Sequence, residues 1–190
     1  KGMKEVYLMD YTTVYDSPLG TIQLASDGTH LIGLWLCGQK YDRATLSEES
    51  CRNDDLPVFI QVRDWLDRYF AGKRPAPSEL PLNPRGSAFR QHVWQLLCQV
   101  PYGQTPTYSD LAERLGQMTG KKENPHAVGG AVGHNPISLI IPCHRAVGKS
   151  GSLTGYAGGL DKKVWLLRHE GADMTRLFRP GQRKKAGSEK

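Results

Sequence analysis

The sequence predicts an α+β protein in which a small antiparallel sheet with one helix precedes a mostly helical domain. Three observations carry this. Short runs rich in β-branched and aromatic residues fill the first third, four prolines crowd residues 75–84, and apolar residues beyond them recur at helical spacing.

In chain order, Tyr11 to Asp16, Gly20 to Ser26 and His30 to Leu36 read as strands, separated by Ser17-Pro18-Leu19-Gly20 and Asp27-Gly28-Thr29. Asp27-Gly28 is a hairpin signal because glycine accepts the positive φ of a tight turn. Asp55 to Tyr69 reads as a helix with Val58, Val62, Trp65, Leu66 and Tyr69 on one stripe, ended by Gly72. Pro75, Pro77, Pro81 and Pro84 then make an extended linker. The domains expected are residues 1–84 including that linker, residues 85–172, and a flexible basic tail over 173–190.

Ser87 is placed to cap a helix through Phe89, Val93, Trp94, Leu96 and Leu97 that closes near Pro101-Tyr102-Gly103. A second helix runs from Thr107 or Tyr108 to Leu115, followed by a polar insertion from Gly116 to Pro125. Ala127 to Gly133 is then a helix of almost nothing but small residues. Glycine weakens a helix by about 1 kcal/mol relative to alanine, so three glycines here need a reason. One is a groove-entering helix of a helix-turn-helix unit. The other is a tight internal packing face.

No apolar stretch in the 190 residues approaches the ~20 needed to span a bilayer, and no secretory signal is evident, so a soluble cytoplasmic protein is expected. The four cysteines form no CxxC pair, which favours reduced thiols and no metal. Cys37 and Cys98 sit in apolar runs and read as buried packing. Charge is uneven: residues 1–84 hold 9 Lys and Arg against 12 Asp and Glu, residues 85–172 hold 10 against 5, and residues 173–190 hold 6 against 2. A basic excess behind the linker suits a polyanion such as nucleic acid. A solvated surface accounts for it equally well.

Pro142-Cys143-His144-Arg145 follows the apolar run Ile137 to Ile141, with Asn135-Pro136 just before. Cysteine attacks carbon as its thiolate, and a free thiol with a pKa of ~8.5 is only slightly ionised at neutral pH. His144 can take the proton and Arg145 adds positive charge. The four residues read as an activated nucleophile.

Gly103-Gln104-Thr105-Pro106-Thr107-Tyr108, Ala127-Val128-Gly129-Gly130-Ala131, Asn135-Pro136, Ile141-Pro142-Cys143-His144-Arg145, Gly155-Tyr156-Ala157-Gly158-Gly159 and Trp165-Leu166-Leu167 with Glu170 occur in an order that resembles the O6-alkylguanine-DNA alkyltransferases, the methylated-DNA:protein-cysteine methyltransferases. Asp16-Ser17-Pro18-Leu19-Gly20 extends the resemblance into the first half. It implies a ribonuclease H-like first domain and a winged-helix second domain. It also implies a monomer without cofactor that binds double- and single-stranded DNA, flips out an O6-alkylguanine (and O4-alkylthymine), and moves the alkyl group once to Cys143.

By the same resemblance, a bridging water links Cys143 to His144, Glu170 orients His144, and Asn135 braces the turn. Tyr108 donates to the leaving guanine. Tyr156 packs against the base, the Ala157 NH meets O6, and the carbonyls of Cys143 and Ala146 accept from the exocyclic amine. Lys163 is the matched basic residue on the following helix. His126, Ala127, Gly129, Gly130, Arg145, Lys121 and Lys122 are the expected DNA contacts. His126 stands where the family commonly inserts an arginine into the base stack; some bacterial members also lack it. Some relatives bind zinc in the first domain, but Cys37, Cys51 and His30 do not reproduce that pattern.

Three other classes compete. A helix-turn-helix regulator explains the bare helix without explaining the cysteine motif. A cysteine hydrolase uses a Cys and a His, but usually from distant parts of the chain, and it turns over. A DNA-binding relative without alkyl transfer lacks the acceptor cysteine, which is present here.

Overall fold

The computed structural model describes residues 9–182. Strands β1 (Asp10–Ser17), β2 (Gly20–Ser26) and β3 (Leu31–Leu36) form an antiparallel meander. Gly28, at φ +109°, makes the second turn. A short strand without a sequence signal, β4 (Ser50–Arg52), lies parallel to β1 and makes the sheet mixed, in the order β3-β2-β1-β4. Only three residues long and exposed, β4 carries no apolar alternation that would mark it.

Helix α1 (Pro57–Phe70) buries Val58, Phe59, Val62, Trp65, Leu66 and Tyr69, the expected stripe plus Phe59. The proline segment that follows is fastened rather than free. Leu31 donates to the Pro81 carbonyl and Asn83 donates to that of Leu31, both at 2.8 Å, and the Trp65 indole holds the Ala76 carbonyl.

The second half consists of α2 (Ala88–Cys98), α3 (Tyr108–Thr119), α4 (Pro125–Gly133) and α5 (Leu160–His169). Ser87 caps α2 as expected, accepting from Arg90 N. Thr107 and Asp110 form a reciprocal capping box on α3, which runs four residues past Leu115 until Gly120 takes the left-handed conformation that ends it. Half of the supposed polar insertion is therefore helix.

β3 is the joint between the halves. It is buried along its whole length, and its outer edge is paired by the proline segment and by the turn that precedes the cysteine: Leu34 donates to Pro136 O at 2.9 Å and Ser138 donates to Leu34 O at 3.0 Å. Covering an edge strand removes unpaired backbone groups, so this contact both protects the sheet and seats the turn that leads to the cysteine. One apolar core runs without a break from Ile22 and Trp65 to Leu97, Val128 and Ile141.

Two expectations are corrected. Cys37 is exposed, because it lies one residue past the end of β3, whereas Cys98 is partly covered and burial pushes its thiol up to about 11. The expected flexible tail is bound over its described part: Leu153 donates to Phe178 O, Phe178 donates to Gly151 O, and Arg179 pairs with Asp161. The remainder of that tail, residues 183–190, lies outside the described residues.

Candidate active site

The turn over residues 135–142 is buried and internally braced. Asn135 Nδ2 donates to the carbonyls of Ile141 (2.8 Å) and Ile137 (3.3 Å), while its Oδ1 accepts from Ile137 N (3.0 Å). Leu139 takes a left-handed φ of +68°, which costs a branched residue about 1–2 kcal/mol and persists only where surroundings over-determine it. Cys143–Arg145 then form one turn of 3₁₀ helix.

Cys143 is 5% exposed. Burial pushes its thiol up, opposed by Asn135, Ser138 and the nearby Lys163 ammonium. The resting sulfur is thus a thiol that needs a base. His144, the next residue, has its Nε2 2.6 Å from Glu170 Oε1, and its Nδ1 has no protein hydrogen-bond partner. A carboxylate on Nε2 fixes the proton there and leaves Nδ1 as the acceptor.

Glu170, at the C-terminal cap of α5, accepts four hydrogen bonds. Besides His144 these come from Arg145 Nε (2.7 Å), Arg145 Nη2 (3.1 Å) and the Tyr69 hydroxyl (2.8 Å). Burial raises the Glu170 carboxyl, but His144 and Arg145 outweigh it and hold the group down to about 2. Here the structure corrects the reading of Arg145 as a DNA contact. Its side chain is buried, pairs with Glu170, donates to the Val100 carbonyl and stacks on Tyr102 at 4.2 Å. A guanidinium so enclosed has no face left for phosphate.

Lys163 is fully buried, its Nζ donating to Ala146 O at 2.6 Å and Thr154 O at 3.0 Å. Desolvation brings it down to about 8. It therefore engages one of the two carbonyls expected to read a base. Tyr108 donates to Thr154 O at 3.1 Å, and burial raises its phenol to about 12. Its ring lies against Gly129, while Tyr156 stands edge-on to His144 with its hydroxyl unpartnered by protein.

A cavity of about 280 Å³ opens here between Gly155, Tyr156 and Ala157 on one side and Gly129, Gly130, Gly133 and His134 on the other. The two readings of the small-residue helix now separate. Val128, Ala131 and Val132 face the core, whereas a Cβ added at Gly130 or Gly133 meets nothing within 4 Å and one at Gly129 meets only the Tyr108 ring. The glycines are not required by internal packing; they leave the outer face of α4 bare. His126 and Ala127 are exposed in the first turn of that helix, with Lys121 and Lys122 exposed just before it. A larger groove of 660 Å³ beside α3 contains both lysines together with Glu113 and Glu123, away from the cysteine.

Four residues of the site had no sequence signal. Tyr69 read as part of an apolar stripe, yet its hydroxyl reaches Glu170 across 101 positions of sequence. Lys40 and Tyr41 follow β3 and line the 280 Å³ cavity, and His134 stacks on Tyr41. Among the described residues no group of three or more His, Cys, Asp or Glu side chains is placed to hold a metal, and no helix is long and apolar enough to cross a membrane.

Residues 88–172 match the family model described as 6-O-methylguanine DNA methyltransferase, DNA binding domain, and residues 11–84 match its ribonuclease-like domain. A methylated-DNA–protein-cysteine methyltransferase of Haemophilus influenzae is 42% identical over 160 residues, spanning 84% of this chain and 86% of the relative. One from Mycobacterium tuberculosis is 39% identical over 172 residues, spanning 88% and 98%. The crystal structure of the Mycobacterium tuberculosis protein in complex with DNA superposes with a TM-score of 0.74 at 37% identity, covering 88% of this chain and 94% of that one. With both halves matched in order and relatives of 39–42% identity covering most of the chain, the chain belongs to the 6-O-methylguanine DNA methyltransferase family.

Proposed function

We propose that the chain repairs DNA by moving an alkyl group from the O6 position of guanine to Cys143, once per molecule. The observation that carries this is the buried His144–Glu170 pair at 2.6 Å, placed immediately after a cysteine that burial keeps protonated. His144 takes the thiol proton by way of a water, and Glu170 stabilises the imidazolium that forms. Sulfur attacks the alkyl carbon in line as the C–O bond breaks, and the departing guanine gains a proton with the help of the Tyr108 hydroxyl. The net change is one alkyl group to sulfur and one proton to the base, with no co-reactant. O4-alkylthymine presents the same bond and is read as a second substrate.

The base must leave the stack to reach a buried sulfur, at a cost of a few kcal/mol. The bare outer face of α4 supports close approach of the duplex, and Gly155, Tyr156 and Ala157 wall the cavity for the flipped base. Lys121 and Lys122 supply phosphate contacts, and His126 fills the gap left in the stack. The relay is complete within one chain, which supports a monomer, and the free thiols suit the reducing cytoplasm.

Incubation with duplex DNA bearing O6-methylguanine, followed by peptide mass analysis, tests the reading. One methyl group appears on the Cys143 peptide and none with Cys143→Ser. Continued turnover without labelling would instead support a hydrolase. For His126, an unchanged ratio of duplex to single-strand repair in His126→Ala would sink the gap-filling role.

A further inference from the structure

The segment Gln39-Lys40-Tyr41, which follows β3 in the first half, is fastened to the second half at three places around the candidate pocket. Gln39 is 6% exposed, and its Oε1 accepts from Leu36 N at 2.7 Å and from Ser138 Oγ at 3.3 Å. Ser138 is itself beside the Cys143 sulfur. Lys40 N donates at 3.0 Å to the carbonyl of Ala157, in the loop that walls the cavity. The Tyr41 ring stacks on His134 at the end of α4, with centroids 4.2 Å apart and planes 22° from parallel, and the Lys40 ammonium lies 4.9 Å from that ring.

Tyr41 makes its stack from a left-handed backbone at φ +60°, a conformation unfavourable for an aromatic residue that must be held by its contacts. Lys40 and Tyr41 both line the 280 Å³ cavity. The segment thus runs from one residue away from the sulfur, past the pocket loop, to the pocket rim.

We propose that Gln39-Lys40-Tyr41 is the wall that limits the size of the alkyl group accepted, with the Tyr41–His134 stack as its latch. The inference rests on Cys143 being the alkyl acceptor. A methyl group needs no room beyond the reacting carbon. A larger substituent on the same oxygen must extend beyond that carbon, and the wall bounds the space it enters. Opening the latch frees the segment to move away from Ala157 and admits the larger group.

The test is single-turnover labelling of Cys143 by DNA carrying O6-methylguanine or O6-benzylguanine, compared as a ratio of rates. Tyr41→Ala raises the benzyl-to-methyl ratio by about threefold to tenfold, the range an aromatic pair is worth. His134→Ala, which opens the same latch from the other side, raises it similarly, so the test does not depend on one variant folding. Tyr41→Phe, which keeps the ring, retains the wild-type ratio. A ratio that is unchanged or lower in the alanine variants, with the wild-type protein methylated on Cys143, overturns the wall alone. Absence of any label on wild-type Cys143 overturns the acceptor reading and the wall with it.

Discussion

Replacing Glu170 by Gln probes the relay most directly. The carboxylate accepts from His144 Nε2 at 2.6 Å, Tyr69 at 2.8 Å and Arg145 Nη2 at 3.1 Å on one oxygen, and from Arg145 Nε at 2.7 Å on the other. An amide offers one acceptor oxygen and one NH₂ donor. Either orientation sets that NH₂ against an Arg145 N–H, and arginine has no acceptor to answer it. The buried guanidinium also loses its counter-charge, a loss that costs about 3–5 kcal/mol. The displacement of the carboxyl from its ordinary 4.5 to about 2 gives an independent figure, about 3 kcal/mol near neutral pH. Because the folded-state value is depressed, this stabilisation is present above about 4.5 and is lost as pH falls toward about 2.

Thermal unfolding and single-turnover labelling read both consequences. For a chain of this size the melting midpoint falls by about 6–20 °C at pH 7, and wild type and Glu170→Gln converge as pH falls toward 2. Methyl transfer slows by about 100-fold, since the base loses the group that fixes its tautomer and stabilises its charge. A midpoint within about 2 °C of wild type at pH 7 would refute the buried-pair reasoning. Normal stability with an unchanged labelling rate would refute the relay as well.

Lys163→Met removes the ammonium that opposes burial at Cys143 and frees the carbonyls of Ala146 and Thr154; labelling slows by about 10-fold or more in a quench assay. Folding depresses Lys163 to about 8, so between there and 10.5 the unfolded chain binds more protons and this group's contribution to stability rises with pH. Denaturant titrations across that window show the rise in wild type and not in Lys163→Met. Tyr108→Phe slows transfer by about 100-fold, while affinity for undamaged single-stranded DNA, read by fluorescence anisotropy, is unchanged. Replacing Lys121 and Lys122 together by Ala lowers the slope of log affinity against log salt by about 1.8 and weakens all DNA sequences alike.

Sequence by itself determined the chemistry and most of the elements. Cys143 with its adjacent histidine, Asn135, the cap Ser87 and the apolar stripe of α1 are local patterns, set by what a single turn of helix or a short turn requires. The class of fold and the family were legible for the same reason. β4 was not, since three exposed residues carry no periodicity.

Tertiary structure decided the partners. Arg145 looked like a cation for sulfur or DNA, and only the arrival of Glu170 from α5 and Tyr102 from the turn after α2 shows it enclosed. Tyr69 reaches Glu170 because the end of α1 sets Tyr69 and Phe70 against Trp165 and His169 of α5, and Gln39, Lys40 and Tyr41 reach the pocket because β3 pairs its edge with the turn over residues 135–142. Such contacts join residues about a hundred positions apart and depend on how the two halves close around one core. The same closure tells the outward glycines of α4 from a packing face, because open space around a backbone belongs to the folded molecule and not to the residue type.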